Sequence, residues 1–223
     1  MKTVVISLGG SLIVPDEIDI GFLENFRKVI LSHRDTRFII VTGGGKTCRK
    51  YIQAAKELGI SNQEALDWIG IAATNMNEMF VKEIFANVVK SVKLSKNHEK
   101  RLIGWNMLIG SGIAPGHSTD MDAVLLAKTY KADAVVNLTD IDYVYSADPK
   151  KDRNAKPLKK LTWSEYKNCI GGKWTPGLHT PFDPVASRLA EKNKLKVVIL
   201  NAKNIDNFNA FLKEKDFIGS VIG

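Results

Sequence analysis

The stretch FIIVTGGGKTCRKYI, residues 38–52, contains the arrangement from which the fold is predicted. Its first part, residues 38–42, is a short apolar and β-branched run, which is typical of a buried strand in a parallel sheet. Three glycines follow, and a helix is predicted over residues 46–58. Glycines let backbone N–H groups approach a ligand closely, and the N-terminus of the next helix adds a partial positive charge. The stretch therefore predicts a strand, an anion-binding turn and a helix.

This glycine turn is not a Walker A motif, although Gly45, Lys46 and Thr47 match the end of one. That motif needs another glycine five residues before Gly45, and Ile40 occupies the position inside the predicted strand. Arg49, one turn into the helix, can offer two N–H groups to phosphate oxygens. A tight turn that needs only a positive φ is the alternative, but three successive glycines beside cations favour a ligand.

Apolar β-branched runs alternate with helix-like segments along the 223 residues. Such alternation predicts an α/β fold with a mainly parallel sheet. No repeat, low-complexity tract or linker interrupts it, so a single domain over residues 1–223 is expected. The apolar segment at residues 217–223 is predicted to be an edge strand. Strands are predicted over residues 3–8, 38–42, 106–110, 132–138 and 196–201, and helices over residues 19–32, 46–58, 63–86, 121–130, 162–168 and 184–193.

Composition and charge exclude several classes of protein. No apolar run approaches the roughly 20 residues that a membrane-spanning helix needs, so no membrane partner is expected. Cys48 and Cys169 give neither a metal-ligand spacing nor a disulfide framework, which favours a reducing cytoplasm. The net charge of +8 suits an anionic partner, but the lysines are scattered and do not alternate with aromatic residues. A solvated, lysine-rich surface is therefore preferred, and no nucleic-acid partner is expected.

A second glycine turn, Gly9-Gly10-Ser11, follows the first predicted strand. Both turns follow parallel strands, so they are expected at the same edge of the sheet. Ligands bind at that edge in open α/β sheets. Two anion-binding turns side by side are suited to holding a phosphoryl donor and its acceptor.

Two further segments place polar groups at the ends of predicted strands. In GSGIAPGHSTDMDAVLLAK, residues 110–128, Thr119 or Asp120 is expected to cap the helix. Asp122 is expected to complement the positive end of that helix. In NLTDIDYVYSADPKKDRNAK, residues 137–156, Tyr145 offers an apolar face to a base and Asp148 an acceptor to a sugar or base. A polar loop with packed aromatic residues is the alternative for the second segment.

Taken together and in this order, these segments resemble the amino acid kinase family, and within it the archaeal-type uridylate (UMP) kinases. The likeness extends over nearly the whole chain. It resides in SLGGSL, VTGGGKTCRKYI, ALDWIGIAATNMN, GIAPGHSTD, TDIDYVYSADPKKD and FDPVASRLAEK.

The resemblance implies a three-layer αβα sandwich around a central sheet of about eight strands. It implies transfer of the γ-phosphoryl group from ATP, with Mg²⁺, to UMP. UMP would bind over residues 1–130 and ATP over residues 131–223, in a homohexamer built from dimers. An acceptor phosphate is already an anionic nucleophile, because its second pKa is near 6, so no general base is required. The alternatives are another small phosphate or carboxylate acceptor, or a non-catalytic oxyanion-binding or storage protein.

Residue roles follow from the resemblance by position. The carboxylates of Asp120 and Asp183 are expected to help orient Mg²⁺ or its waters, with helix capping as the alternative. Catalytic roles are implied for Gly10, Arg49, Asp120 and Asp183. ATP contacts are implied for Gly9, Gly10, Gly45, Arg49, Thr139, Asp140, Tyr145 and Asp148, and UMP contacts for Gly44, Asp67, Pro115, Gly116, His117, Ser118, Thr119 and Asp120.

The chain departs from the family pattern at two of these motifs. Ser7 stands where many members have a lysine, which removes a direct cationic contact to the donor phosphates. Lys46 or Arg49 is expected to compensate. Tyr143 stands where the family has glycine, and it would be strained if that position required a positive φ.

Overall fold

The structure, a computed structural model, describes residues 1–86, 104–147, 149, 152–169 and 181–223. The strands are β1 (Lys2–Leu8), β2 (Thr36–Thr42), β3 (Met107–Gly110), β4 (Ala134–Thr139), β5 (Val144–Tyr145), β6 (Pro157–Leu158), β7 (Lys160–Leu161), β8 (Val197–Asn201) and β9 (Ser220–Ile222). The helices are α1 (Gly10–Ile13), α2 (Ile20–Ser32), α3 (Gly45–Glu57), α4 (Gln63–Phe85), α5 (Thr119–Tyr130), α6 (Trp163–Cys169), α7 (Pro184–Lys192) and α8 (Ile205–Leu212).

One mixed sheet forms the centre of the protein, with the strand order β3-β2-β1-β4-β8-β9-β7. β1 pairs in parallel with β2 and β4, and parallel pairing continues to β3 on one side and β8 on the other. The carboxyl ends of these five strands therefore meet at one edge of the sheet, which we call the rim. The strand order reverses between β1 and β4, and ligands bind at such a point in open α/β sheets.

Helices cover both faces of the sheet because its strands are apolar on both sides. Successive residues of a strand point to opposite faces. Ile6 and Leu8 of β1 accordingly belong to the core formed with α2, α4 and α8, whereas Val5 belongs to the core formed with α5, α6 and α7. The predicted three-layer αβα sandwich is confirmed.

Side-chain caps fix where several helices begin. Asp19, Asn62, Asp183 and Asn204 each accept a hydrogen bond from a backbone N–H in the first turn of α2, α4, α7 and α8, respectively. Such caps satisfy N–H groups that the helix itself leaves without partners. Asp183 thus caps α7, which was the alternative to its expected role with Mg²⁺.

The strands and helices predicted from the sequence are all present, with small differences at their ends. Helices α1 and α8 and the two-residue strands β5, β6 and β7 were not predicted, because short elements give weak periodic signals. The prediction of an edge strand near the end of the chain was wrong. β9 lies between β8 and the two-residue β7, antiparallel to β8, and its residues Ser220 and Ile222 are fully buried.

The described part of the central sheet has seven strands, where the resemblance implied about eight. β5 and β6 form a separate antiparallel pair. Among the described residues, no helix has both the length and the apolar character that crossing a bilayer requires.

Candidate active site

The two glycine turns lie side by side on the rim and touch through their backbones. β1 and β2 are paired in register up to Leu8 and Thr42, so both turns begin at the same level. A Cβ atom added to Gly10 would lie 2.0 Å from the backbone nitrogen of Gly45 and 2.7 Å from that of Gly44. No side chain fits between the turns. The prediction that both turns open on one edge is confirmed.

The N–H groups of the two turns differ in whether they already donate a hydrogen bond within the protein. Gly9 donates its N–H to the carbonyl of Leu138 at 3.1 Å, and Gly43 donates to the carbonyl of Leu8 at 2.9 Å. These two bonds tie the turns to the sheet. The N–H groups of Gly10, Gly44 and Gly45 make no hydrogen bond to another described residue. They remain available to an anion at the N-terminus of α3.

Gly45 has a φ of +64°, which explains why glycine is needed at the start of α3. The helix then places Lys46 and Arg49 beside the turn. Lys46 forms a salt bridge of 3.0 Å with the exposed Asp16. Arg49 is exposed and forms no salt bridge with a described residue, so its guanidinium is available to a ligand.

Polar residues of α4 hold the turn after β2. Asn77, which is buried, donates its side-chain amide to the carbonyl of Gly43 at 2.7 Å. Thr42 donates its hydroxyl toward the carbonyls of Thr74 and Gly110, at 3.1 and 3.2 Å. These contacts were not predicted, although the polar residues at positions 74, 77 and 78, within the more apolar middle of α4, were a signal of a polar face.

The β3–α5 loop, residues 111–118, lies next to the turn after β2 and is also held by α4. Gly112 donates its N–H to the hydroxyl of Thr74 at 3.0 Å. Gly116, with a φ of +79°, donates its N–H to a carboxylate oxygen of Asp67 at 2.8 Å. Asp67, which the resemblance placed in the UMP site, thus contacts the loop that was placed there with it.

The far end of this loop contacts α5. The hydroxyl of Ser118 accepts the N–H of Met121 at 3.1 Å and caps the helix. The prediction that Thr119 or Asp120 is the cap was wrong, because both already lie within the first helical turn. His117 makes a hydrogen bond below the loop, because its Nδ1 lies 3.1 Å from Oδ1 of Asp122.

Asp122 is fully buried, in contrast to the exposed position expected of a residue that only complements the helix end. Its other carboxylate oxygen accepts the N–H of Ile113 at 3.2 Å. Burial raises the pKa of Asp122 to about 6, against the opposing effect of its hydrogen bond with His117.

Asp120 joins the two halves of the site. One carboxylate oxygen accepts the hydroxyl of Ser7 at 2.7 Å, and the other accepts the N–H of Asp183 at 3.1 Å. β1 and the N-terminus of α7 are therefore connected through a single carboxylate. Burial raises the pKa of Asp120 to about 6, and the charge of Asp183 acts in the same direction.

Past the end of β4, the β4–β5 loop, residues 140–143, presents mostly exposed polar groups. The hydroxyl of Thr139 lies 3.4 Å from a carboxylate oxygen of the exposed Asp140. Asn201, at the end of β8, donates its amide to Asp142 at 3.0 Å. Sequence analysis missed Asn201, although it ends a strand just as Thr139 does.

Tyr143 is not strained, because its φ is not positive. The rings of Tyr143 and Tyr145 meet edge to face, with centroids 6.3 Å apart. Val144, between them, donates its N–H to the hydroxyl of Ser220, which fixes this segment to β9. The replacement of the family's glycine is therefore accommodated by the backbone.

The structure places most of the predicted site residues around the rim, whereas Asp148 lies outside the described residues. Within the described ranges, His, Cys, Asp and Glu side chains form no group of three that would hold a metal ion. Tyr145 lies in the separate β5–β6 pair. The residues at the rim or in the loops and helix ends next to it are Gly9, Gly10, Gly44, Gly45, Arg49, Asp67, Pro115, Gly116, His117, Ser118, Thr119, Asp120, Thr139, Asp140 and Asp183.

Comparison of the sequence with known proteins gives a consistent result. The sequence profile of the amino acid kinase family matches residues 2–201. A uridylate kinase of Thermoplasma volcanium is 34% identical over 216 residues, which are 96% of this chain and 94% of that protein. A uridylate kinase of Archaeoglobus fulgidus is 34% identical over 200 residues, 88% of this chain and 90% of that protein.

Solved structures show the same relationship. The crystal structure of the uridylate kinase from Archaeoglobus fulgidus has a TM-score of 0.78 with this protein at 33% identity, over 100% of both chains. The crystal structure of the UMP kinase from Bacillus anthracis has a TM-score of 0.80 over 100% of this chain and 96% of that one. Its identity is 22%, so this second likeness concerns the fold.

Proposed function

The chain belongs to the amino acid kinase family, and from this premise we propose that it is a UMP kinase, which transfers the γ-phosphoryl group of ATP to UMP and yields ADP and UDP. The observation that carries the proposal is the backbone contact between the turns at residues 9–10 and 43–45. The kinship with uridylate kinases supports UMP as the acceptor, and the contact between the turns supports a site that holds two phosphate groups close together.

We assign the two substrates to opposite sides of these turns. UMP binds over residues 1–130, against the turn after β2, Asp67 and the β3–α5 loop. ATP binds over residues 131–223, against Thr139 and Tyr145. The transferring phosphates then meet above Gly10 and Gly45, at the reversal of strand order between β1 and β4.

Two negatively charged phosphate groups repel each other, and the main task of the site is to offset that repulsion while keeping the reacting atoms in line. The N–H groups of Gly10, Gly44 and Gly45 carry no net charge, but their fixed dipoles stabilise negative charge on the ligands. Arg49 adds a guanidinium that stabilises charge on the transferring group. The acceptor phosphate is itself the nucleophile, so none of the site carboxylates has to act as a base.

The carboxylates suit a magnesium ion that arrives with ATP. Mg²⁺ usually keeps several waters and takes one or two carboxylates together with substrate phosphates. The described residues offer two such carboxylates, because Asp120 and Asp183 lie together. Asp183 uses only one carboxylate oxygen to cap α7. We assign to these two side chains the orientation of Mg²⁺ or its waters. When bound, the ion supplies charge neutralisation at the transferring phosphate.

We also propose that the protein forms a homohexamer assembled from three dimers and that α4 supplies the contact within each dimer. One face of α4 exposes large apolar side chains: Trp68 is 42% exposed, Met76 54%, Met79 65% and Phe80 39%. A continuous apolar stripe of this kind marks an interaction surface, and two copies related by a two-fold axis would cover each other's stripe. Light scattering should show a smaller assembly for Met79→Asp and an unchanged one for the exposed control Ile218→Asp.

Cytoplasmic location is part of the proposal. Both cysteines are free thiols, as expected in a reducing compartment. ATP and UMP are available there.

Acceptor specificity provides the test of function. Purified protein with Mg²⁺ and ATP should release ADP with UMP, and release should be much slower with CMP, AMP, acetylglutamate or carbamate. The Arg49→Ala protein, assayed in parallel, controls for contaminating kinases, since its rate should be much lower. Phosphorus NMR of the reaction should show the β-phosphate of UDP.

The panel separates the alternatives. Preference for acetylglutamate or carbamate would contradict the UMP assignment but retain phosphoryl transfer. No ADP release with any acceptor, from protein that is folded by circular dichroism, would contradict catalysis and favour an oxyanion-binding protein.

A further inference from the structure

Asp122 is a buried carboxylate next to the acceptor site to which the proposed reaction assigns no role. It belongs to the first part of α5, and its side chain is fully buried. Burying a carboxylate is costly, whereas a residue that only complements the helix dipole works from the surface. The position of Asp122 therefore calls for a function that needs the carboxylate below the loop.

The carboxylate bridges the two limbs of the β3–α5 loop. Oδ2 accepts the N–H of Ile113 in the first limb, at 3.2 Å. Oδ1 faces Nδ1 of His117 in the second limb, at 3.1 Å. Gly116, between them, is held from the other side by Asp67 at 2.8 Å. The loop that we assign to UMP is thus held between α4 and α5.

This contact also determines which nitrogen of the His117 ring carries a hydrogen. An ionised carboxylate only accepts hydrogen bonds, so Nδ1 of His117 has to carry a hydrogen to make the bond. Nε2 lies on the opposite side of the ring and faces away from Asp122. The His117 side chain is 28% exposed, so it is not closed off from a ligand.

We propose that Asp122 is a positioning residue for the acceptor: through His117 it determines that Nε2, held at a fixed place in the loop, contacts UMP. The proposal rests on the proposed UMP kinase function. In this proposal Asp122 does not touch the substrate. It orients His117, whose Nε2 contacts UMP.

Enzyme kinetics test the proposal first. Asp122→Asn places an amide against Nδ1 and removes the preference for a hydrogen on that atom. We expect the KM for UMP to rise about tenfold, as the loss of a hydrogen bond to a charged partner does, with the KM for ATP changed less than twofold. Asp133→Asn is the matched control, because Asp133 also accepts a backbone N–H, from Thr3 at 2.8 Å, but at the opposite edge of the sheet.

A double-mutant cycle then separates positioning from general support. If Asp122 acts through His117, Asp122→Asn should change the KM for UMP less than twofold in a His117→Ala background. His117→Asn retains a donor near Nδ1 but lacks Nε2, so its KM should rise as much as that of His117→Ala. His117→Gln, whose amide reaches the place of Nε2, should rise least. Additive effects of Asp122→Asn and His117→Ala would overturn the proposal.

Nitrogen NMR of the histidine ring gives a readout that does not depend on activity. The wild-type protein should show a hydrogen on Nδ1 of His117, and Asp122→Asn should shift it toward Nε2. Should Asp122→Asn fail to fold, His117→Asn and His117→Gln still test the kinetic prediction. Failure of the UMP assay with the expected ring signal would contradict the proposed function alone, whereas an unchanged ring in Asp122→Asn would overturn the role of Asp122.

Discussion

The two sides of the rim are built differently. Next to the turn after β2, backbone groups are held by buried side chains of α4 and α5, of which Asn77 and Asp122 are examples. Next to the end of β4, the β4–β5 loop carries exposed carboxylates, and its contacts with other described residues lie nearer the surface. They are the hydrogen bond from Asn201 to Asp142, the long contact of Thr139 with Asp140, and the edge-to-face rings of Tyr143 and Tyr145. The side assigned to UMP is therefore preorganised, and the side assigned to ATP offers its groups from the surface.

This difference indicates which side of the rim determines substrate specificity. A site whose backbone is fixed before binding discriminates between ligands, because a wrong ligand leaves buried polar groups unpaired. We therefore expect changes on the UMP side to alter specificity and KM, and changes at the junction of the two sides to alter the rate of transfer.

Gly10→Ala should have the largest effect. The new Cβ would lie 2.0 Å from the nitrogen of Gly45, a backbone atom, so the two turns must separate. We expect kcat to fall by roughly 10³ or more, since even a 1 Å misplacement of reacting groups is costly. Gly21→Ala is the control: its nearest neighbour would be a side-chain oxygen at 3.7 Å, and alanine within a helix should not reduce stability. Activity close to wild type in Gly10→Ala would contradict the role of the contact.

Arg49→Ala should come next. Removing one preorganised donor to the transferring group costs roughly 10²–10³ in kcat. The matched control is Lys50→Ala, which removes an exposed cation from the next position of α3. Steady-state kinetics should show a fall in kcat with little change in the KM for UMP. Tenfold or smaller losses in both variants would show that the cation is not specific.

Asp67→Asn should affect the acceptor alone. Asp67 accepts the N–H of Gly116 and is assigned to the non-reacting sugar of UMP. Its loss should raise the KM for UMP by about tenfold and leave kcat within a few-fold, because uniform binding is removed. Glu64→Gln, an exposed change one turn earlier in α4, is the control. A fall in kcat equal to that of Arg49→Ala would remove the distinction between the two sides.

The smallest effect concerns stability and pH. Burial raises the pKa of both Asp120 and Asp122 from 3.8 to about 6. Between these values the folded protein binds more protons than the unfolded chain, so the stabilising contribution is present below about pH 4 and is lost as pH rises through about 6. Asn at either position should therefore gain stability relative to wild type, by about 1–3 kcal/mol, between pH 4 and pH 7.

Urea unfolding at several pH values measures this difference. Asp133→Asn controls for the loss of one carboxylate. A difference from wild type that does not change with pH, for both Asp120→Asn and Asp122→Asn, would contradict the raised pKa values.

Much of the fold was predictable because its signals are local. The apolar run at residues 38–42, the glycines and the helix after them are each indicated by neighbouring residues in the sequence. The parallel pairing of the strands then places both turns on one rim. The position of β9 was not predictable in this way. Its three residues pair with β8 and β7, and such pairing depends on contacts far apart in the sequence.

The sheet edge at which the candidate site lies was predictable, and the contacts among its residues were not. Asp122 looks like an ordinary acidic residue of a first helical turn, and only the packed structure shows that it lies beneath His117. Ser118 competes for the cap with two neighbours of similar propensity, so the backbone geometry had to decide between them. Asn77 holds a carbonyl 34 residues away, and no short-range pattern indicates that.

A crystal structure with UMP and a non-hydrolysable ATP analogue tests the central claim most directly. We expect phosphate oxygens within about 2.7–3.2 Å of the backbone nitrogens of Gly10 and Gly45, with the two ligands on opposite sides of the contact. Phosphates that lie beyond hydrogen-bond distance of both glycines would contradict it.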